Sequence, residues 1–315
     1  MTEAKRRVAI IDMGTNTFHL LIADLMDSRS FNILRNDKIA VKLGEGGISN
    51  SRISAKAQSR GLNTLKEFRK RISEDETIDQ EEVFATSALR SATNSDEFLK
   101  QIYKETGFSP KIIDGQKEAE FIYYGVMAGL TLSEDPYLIM DIGGGSVEFI
   151  IANKNEIFWR QSFEICAQRL LDSFYKSDPI SERELANLES FLDRELVSLI
   201  KELQIHQPET LIGVSGTFDT LTDILDVREG HNISFPDSEG SLEFDSFERI
   251  RIELTKKTNK ERIDTPGLPA FRAEMIVVAL ALIHWVLQQQ QFNEIRVSRY
   301  ALKEGILYSM IKKRL

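Results

Sequence analysis

Two stretches of this chain carry the residue types that handle phosphate. One runs Asp12-Met13-Gly14-Thr15-Asn16-Thr17 and the other Asp141-Ile142-Gly143-Gly144-Gly145-Ser146, each beginning where an apolar run ends. Glycine and small polar residues let successive backbone N–H groups converge on one point without side-chain obstruction, which makes an anion cradle. An aspartate beside such a cradle is placed to hold Mg²⁺ or another divalent cation, directly or through water, against phosphate oxygens. Gly14, Thr15 and Asn16, with Gly143, Gly144, Gly145 and Ser146, are therefore candidate phosphate contacts, and Asp12 and Asp141 candidate metal ligands. Two other glycine-rich phosphate motifs do not fit. GxxxxGK[ST] needs a lysine and a following helix, and GxGxxG needs a helix after its glycines, whereas this chain continues into the apolar strand VEFIIA. A tight β-hairpin uses the same turn residues; the recurrence of the whole pattern favours phosphate.

The elements that must position these turns follow from periodicity. Residues 8–25 alternate about the first turn as a strand pair, and residues 137–153 do so about the second. Aligning Asp12 on Asp141 matches DMGTNTFHLLIA to DIGGGSVEFIIA at an offset of 129 residues, which points to a duplicated domain. In the first half a strand at 31–35 precedes an amphipathic helix over 53–72. A strand running into a polar loop (EVFATSALRSATN), a helix over 95–106, a strand at 111–113 and a helix over 116–130 follow. In the second half helices are expected at 164–175, 181–203, 243–259, 271–291 and 301–313, with a strand and loop in LIGVSGTFDTL and a strand at 294–297. The stretch 228–242, which holds Gly230, Asn232, Pro236 and Gly240, reads as an exposed loop. Strands alternating with helices make this an α/β protein.

Composition narrows the context. At 315 residues the chain exceeds what one core organises, so two domains are expected. The net charge of −9 disfavours broad nucleic-acid binding and requires a local basic patch for any polyanion. The longest apolar run, Met275 to Leu287, is too short to span a bilayer and reads as a buried helix, so no membrane partner is expected. The N-terminus has no export signal, and the single cysteine, Cys166, reads as an inert half-buried thiol; together they suggest a cytoplasmic protein.

These motifs, together with ATSALRSATN, IIDGQKEAEFIYYGV, GVSGTFDTL, PGLPAFRAEMI and SRYALKEGILY, resemble the exopolyphosphatase / guanosine pentaphosphate phosphohydrolase family over essentially the whole chain. The resemblance implies two duplicated actin-like (ribonuclease H-like) domains with an interdomain cleft. The expected domains are 1–127, with the first phosphate loop and the catalytic carboxylate, and 128–315, with the second loop and a C-terminal helix that packs back on the first domain. It implies that Glu118 in GQKEAEF is the catalytic carboxylate that positions or deprotonates the attacking water. A glutamate in the first turn of a helix also simply complements the helix dipole. Where the family usually has Gly-x-Glu-Glu-Ala-Arg, this chain has Lys117 and Glu120 in place of the first Glu and the Arg. Arg90 matches a family arginine suited to clamp phosphate oxygens bidentately, and Lys42 stands where a basic residue is common. Ser215, Gly216 and Thr217 resemble a third glycine-containing loop and join the candidate phosphate contacts. His19, within a strand, reads as a packed or rim residue.

The reaction implied is Mg²⁺-dependent attack of water on a terminal phosphoryl group of inorganic polyphosphate, with catalysis by positioning and charge neutralisation. Guanosine pentaphosphate, losing its 5′-terminal phosphate, is the alternative substrate. A sugar or small-acid kinase and a non-catalytic nucleotide-sensing scaffold share the fold. The segment bearing Glu118 weighs against the scaffold. A homodimer is left open.

Overall fold

The structure is a computed structural model that describes residues 6–26, 30–47, 50–75, 77–165, 167–231 and 238–312. Cys166 and the stretch holding Asn232 and Pro236 lie outside the described residues. By contact density the chain divides into two units. The first comprises Met1–Ala128, Gly143–Gly145 and Leu302–Leu315, and the second Gly129–Ile142 and Ser146–Ala301.

In the first unit β1 (Arg6–Met13), β2 (Thr17–Leu25) and β3 (Phe31–Ala40) form an antiparallel meander. Helix α1 (Ala55–Ser73) then leads to β4 (Ile78–Ala85), followed by α2 (Ser87–Ser91), α3 (Ser95–Thr106), β5 (Lys111–Ile112) and α4 (Gly115–Gly129). Strands β4 and β5 run parallel to β1, giving the order β3-β2-β1-β4-β5. The Ser54 hydroxyl caps α1 by accepting from the Ala57 amide at 3.3 Å. The apolar face of α1, with Leu62, Leu65 and Phe68, meets Phe18 and Phe98 in a dry core. Each such side chain contributes about 1.5–3 kcal/mol relative to exposure. The segment expected as a polar loop after β4 is the short helix α2, and β3 extends past the expected 31–35 to Ala40.

The second unit repeats the path. Strands β6 (Tyr137–Ile142), β7 (Val147–Ala152) and β8 (Ile157–Phe163) form a meander. Helices α5 (Ala167–Phe174), α6 (Glu182–Glu195) and α7 (Val197–His206) lead to β9 (Thr210–Val214) and α8 (Ser215–Arg228). Then come β10 (Glu239–Ser241), α9 (Phe244–Lys256), α10 (Asn259–Ile263), α11 (Ile276–Gln289), β11 (Glu294–Ser298) and finally α12 (Leu302–Lys312), which belongs to the first unit. Strand β9 lies parallel to β6 and β11 parallel to β9. The order β8-β7-β6-β9-β11 therefore reproduces the first sheet, with β10 added antiparallel at the edge. This is the ribonuclease H-like path taken twice, so the duplication expected from the two turns is present in the fold. Strands β6 and β7 are buried along their whole length, which explains why all their residues but Asp141 and Glu148 are hydrophobic. Helix α11 is apolar nearly all round because it packs among α5, α6 and α9 in the second core. Among the described residues no helix is long and apolar enough to cross a membrane.

Two further expectations need correction. The residues after β9, read as a loop, enter α8 directly at Ser215. Strand β8 was not anticipated. All but the last of its residues are half-buried, so it carries no clean alternation.

Candidate active site

In an α/β sheet, functional groups collect where parallel strands end. The first unit follows this rule. Asp12 lies at the end of β1, in register with His19 on β2 and Phe84 on β4. Strand β4 delivers Ser87 and Arg90, and β5 delivers Asp114 and Glu118. The turn after Asp12 is tied down by its own backbone. Gly14 N–H donates to the Thr17 carbonyl at 3.1 Å, and the Asn16 carbonyl accepts from the amides of Val41 and Lys42 at 2.9 and 2.8 Å. Lys42 itself is exposed and adopts a left-handed backbone, φ 50°. His19 is half-buried and within 3.0 Å of the Thr17 hydroxyl.

Two oxygens on this turn are left over. Asp12 Oδ1 and Thr15 Oγ1 are both sealed from solvent with no hydrogen-bond partner in the protein. An unpaired buried polar atom costs on the order of 1–3 kcal/mol, so such a pair signals a ligand. Burial pushes the Asp12 carboxyl up to about 7, Lys303 on α12 pulls it down, and Glu304 pushes it further up. Lys303 and Glu304 form a shielded ion pair, Nζ to Oε1 at 3.0 Å. Gly305, next along, lets α12 approach α4, since a Cβ there would lie 1.6 Å from the Phe121 carbonyl oxygen.

Gly143–Gly145 belong to the same unit and pack on the first turn. A Cβ on Gly144 would come within 2.5 Å of the Asn16 side chain, and one on Gly145 within 2.3 Å of Thr15 Oγ1 and 2.5 Å of Ser87 Oγ. Only glycine admits this approach. Ser87, which the motif analysis did not single out, thus joins Thr15 and Gly145.

Glu118 sits in the first turn of α4 and is 8% exposed. Asp114 starts that helix by accepting from the Lys117 amide at 2.7 Å. Arg90 donates through Nη1 to Glu118 Oε2 at 2.8 Å and to the Ile113 carbonyl at 3.2 Å. It therefore holds the candidate catalytic carboxylate directly, an engagement not foreseen when it was read as a phosphate clamp. The two departures from the family pattern answer each other: Lys117 Nζ pairs with Glu120 Oε1 at 2.8 Å and lies over the Phe121 ring.

In the second unit Asp141 ends β6 and is buried. Ser215, opening α8, donates its hydroxyl to Asp141 Oδ2 at 2.8 Å. Gly216 follows under Arg272, since a Cβ there would lie 1.6 Å from the Arg272 Nη2. Thr217 and Ser146 are buried. Burial lowers the affinity of Arg272 for its proton, and Asp219, Asp223 and Asp141 oppose that effect, so this arginine faces three carboxylates. Arg272 lies within a quoted motif but was not picked out individually. Glu148 was also missed. It is the cross-strand partner of Asp141 and 1% exposed, and its Oε1 accepts from Ser162 at 2.7 Å. A lone glutamate in the otherwise apolar VEFIIA was the available signal.

Among the described residues no group of three or more His, Cys, Asp or Glu is arranged to hold a metal. A closed cage is not what Mg²⁺ uses, since it keeps several waters and takes one or two carboxylates plus substrate phosphates. Asp12, with a partnerless buried oxygen, and the buried Asp141 are carboxylates whose chemistry suits such a cation, each within its own unit.

A family model described as the Ppx/GppA phosphatase family matches residues 21–314. The chain belongs to the Ppx/GppA phosphatase family. It is 43% identical to a crystallised exopolyphosphatase from Cytophaga hutchinsonii, covering 98% of each chain with a TM-score of 0.94. A Ppx/GppA family member from Aquifex aeolicus matches at 25% identity over 99% of each chain with a TM-score of 0.82. A putative exopolyphosphatase from Haemophilus influenzae is 28% identical over 98% of this chain and 92% of its own length.

Proposed function

We propose that this Ppx/GppA phosphatase is an exopolyphosphatase that hydrolyses the terminal phosphate of inorganic polyphosphate with the help of a divalent cation, Mg²⁺ by preference. The observation that carries the reading is the first turn, where Asp12 Oδ1 and Thr15 Oγ1 are buried without protein partners beside glycines that admit no side chain. The names of the relatives support the same substrate class.

In this reading Asp12 in the first unit and Asp141 in the second are the carboxylates that would take up a cation, which when bound would neutralise phosphate oxygens and so favour attack on phosphorus. Thr15 and Asn16, with Gly143, Gly144, Gly145 and Ser146, bind and orient phosphate oxygens through N–H and hydroxyl donors, while Gly14, whose N–H donates to the Thr17 carbonyl, shapes the turn. Glu118 accepts a proton from, or aligns, the attacking water. Arg90, at 2.8 Å, fixes the Glu118 carboxylate so that one oxygen stays directed. The chemistry is positioning and charge neutralisation, with no covalent enzyme intermediate.

The test is orthophosphate release, with Mg²⁺, from long polyphosphate, short polyphosphate, guanosine pentaphosphate and ATP side by side. Polyphosphate should be the preferred substrate. Preference for guanosine pentaphosphate would move the protein to the other branch of the family, and release from none would end the hydrolase reading.

A further inference from the structure

The hydroxyl that meets Asp141 comes from an unusual backbone position. Ser215 has φ 66°, in the left-handed region that non-glycine residues seldom occupy. It directly follows Val214, which is the parallel-register partner of Asp141. The chain turns sharply there from β9 into α8, and that turn aims Oγ back across the register at Asp141 Oδ2, 2.8 Å away. An ordinary helical start at this place would carry the side chain elsewhere. Glycine would make the turn without strain, so the strain of a serine there is offset by the bond its hydroxyl makes to Asp141. On the other side of the turn Arg272 occupies the space over Gly216. A side chain at 216 would have to displace that guanidinium, so the glycine leaves Arg272 its place beside the turn.

We infer that Ser215 is the positioning residue for Asp141, donating to one carboxylate oxygen so that the other is presented to the cation, rather than a phosphate contact in its own right. This rests on the reading of Asp141 as a cation ligand. Partners that orient a metal-binding carboxylate change metal affinity or activity by about 10- to 100-fold when removed.

The experiment compares full-length wild type with Ser215→Gly, Ser215→Ala and Asp141→Asn. Three quantities are read: the affinity for Mn²⁺ alone by calorimetry, the Mg²⁺ half-saturation of orthophosphate release, and the melting temperature without metal. Ser215→Gly sheds the strain and Ser215→Ala keeps it, so the glycine protein should melt near wild type and the alanine protein lower. Both should weaken metal binding alike, by about 10-fold or more. Wild-type metal affinity in Ser215→Gly, with affinity lost in Asp141→Asn, would overturn the positioning role alone. Metal losses that track the melting temperatures would make Ser215 merely structural. Unchanged metal binding in Asp141→Asn would overturn the assignment of Asp141, and the role of Ser215 with it.

Discussion

Asp12 and Asp141 stand at the same point of a repeated motif, and their surroundings have diverged. Asp12 keeps a sealed oxygen without a hydrogen-bond partner, and burial lifts its carboxyl to about 7. Asp141 receives a hydroxyl from Ser215 and faces the half-buried cation Arg272. Duplication supplied two copies of one scaffold, and the groups added around each copy set its electrostatics. At Asp12 one carboxylate oxygen has no donor within the protein, whereas at Asp141 Ser215 supplies one.

The comparison can be broken most severely at the glycines. Gly145→Ala places a methyl 2.3 Å from Thr15 Oγ1, whereas the nearest atom to a Cβ on Gly14 is the Thr17 carbonyl oxygen at 2.9 Å. We expect Gly145→Ala to lower kcat/KM for polyphosphate by at least about 100-fold, since misplacement of about 1 Å has that cost, and Gly14→Ala to cost less. Equal activity of Gly145→Ala and wild type would remove this turn from the site.

The two aspartates can next be set against each other by pH. The native pKa of Asp12, about 7, exceeds the ordinary aspartate value of 3.8, so the native state binds that proton more tightly than the unfolded chain. Its stabilising contribution is complete below about pH 4 and is lost as pH rises through about 7. Without metal at pH 8, Asp12→Asn should therefore be more stable than wild type, by on the order of 1–4 kcal/mol. The advantage should vanish near pH 4 and shrink when Mg²⁺ is added. Asp141→Asn should show no such gain, because Ser215 and Arg272 already support the charge. Denaturant melts across pH, with and without metal, read both; parallel behaviour of the two variants would erase the contrast.

The smallest effect is expected at the Lys117–Glu120 pair, half-exposed and on one helix. The swap Lys117→Glu with Glu120→Arg restores the usual family charges, and it should change stability by less than about 1 kcal/mol. Activity should stay within a few-fold, because Arg90 rather than Lys117 holds Glu118. A large loss of turnover would mean that the reversed pair does steer Glu118.

Much of this was legible because it is local. The strand pairs on either side of each turn, α1, α3 and α4 follow from spacing alone, and each glycine turn carries its chemistry within six residues. The motif match brought Glu118 and Arg90 into view, while their contact with each other depends on where β4 and β5 end. Ser215 was read as part of a loop because Gly216 and Thr217 look like one; its bond to Asp141 spans 74 residues and exists only because β9 lies beside β6. Lys303 and Glu304 reach Asp12 only because α12 returns to the first unit. Those pairings are set by sheet order and helix docking, which no window of sequence contains.

The most direct test of the central claim is orthophosphate release from long polyphosphate by wild type and Glu118→Gln, each with Mg²⁺ and with excess chelator. Release should occur only for wild type with metal, with Glu118→Gln binding polyphosphate normally and turning over at least about 100-fold more slowly. Undiminished release in chelator, or from Glu118→Gln, would contradict it.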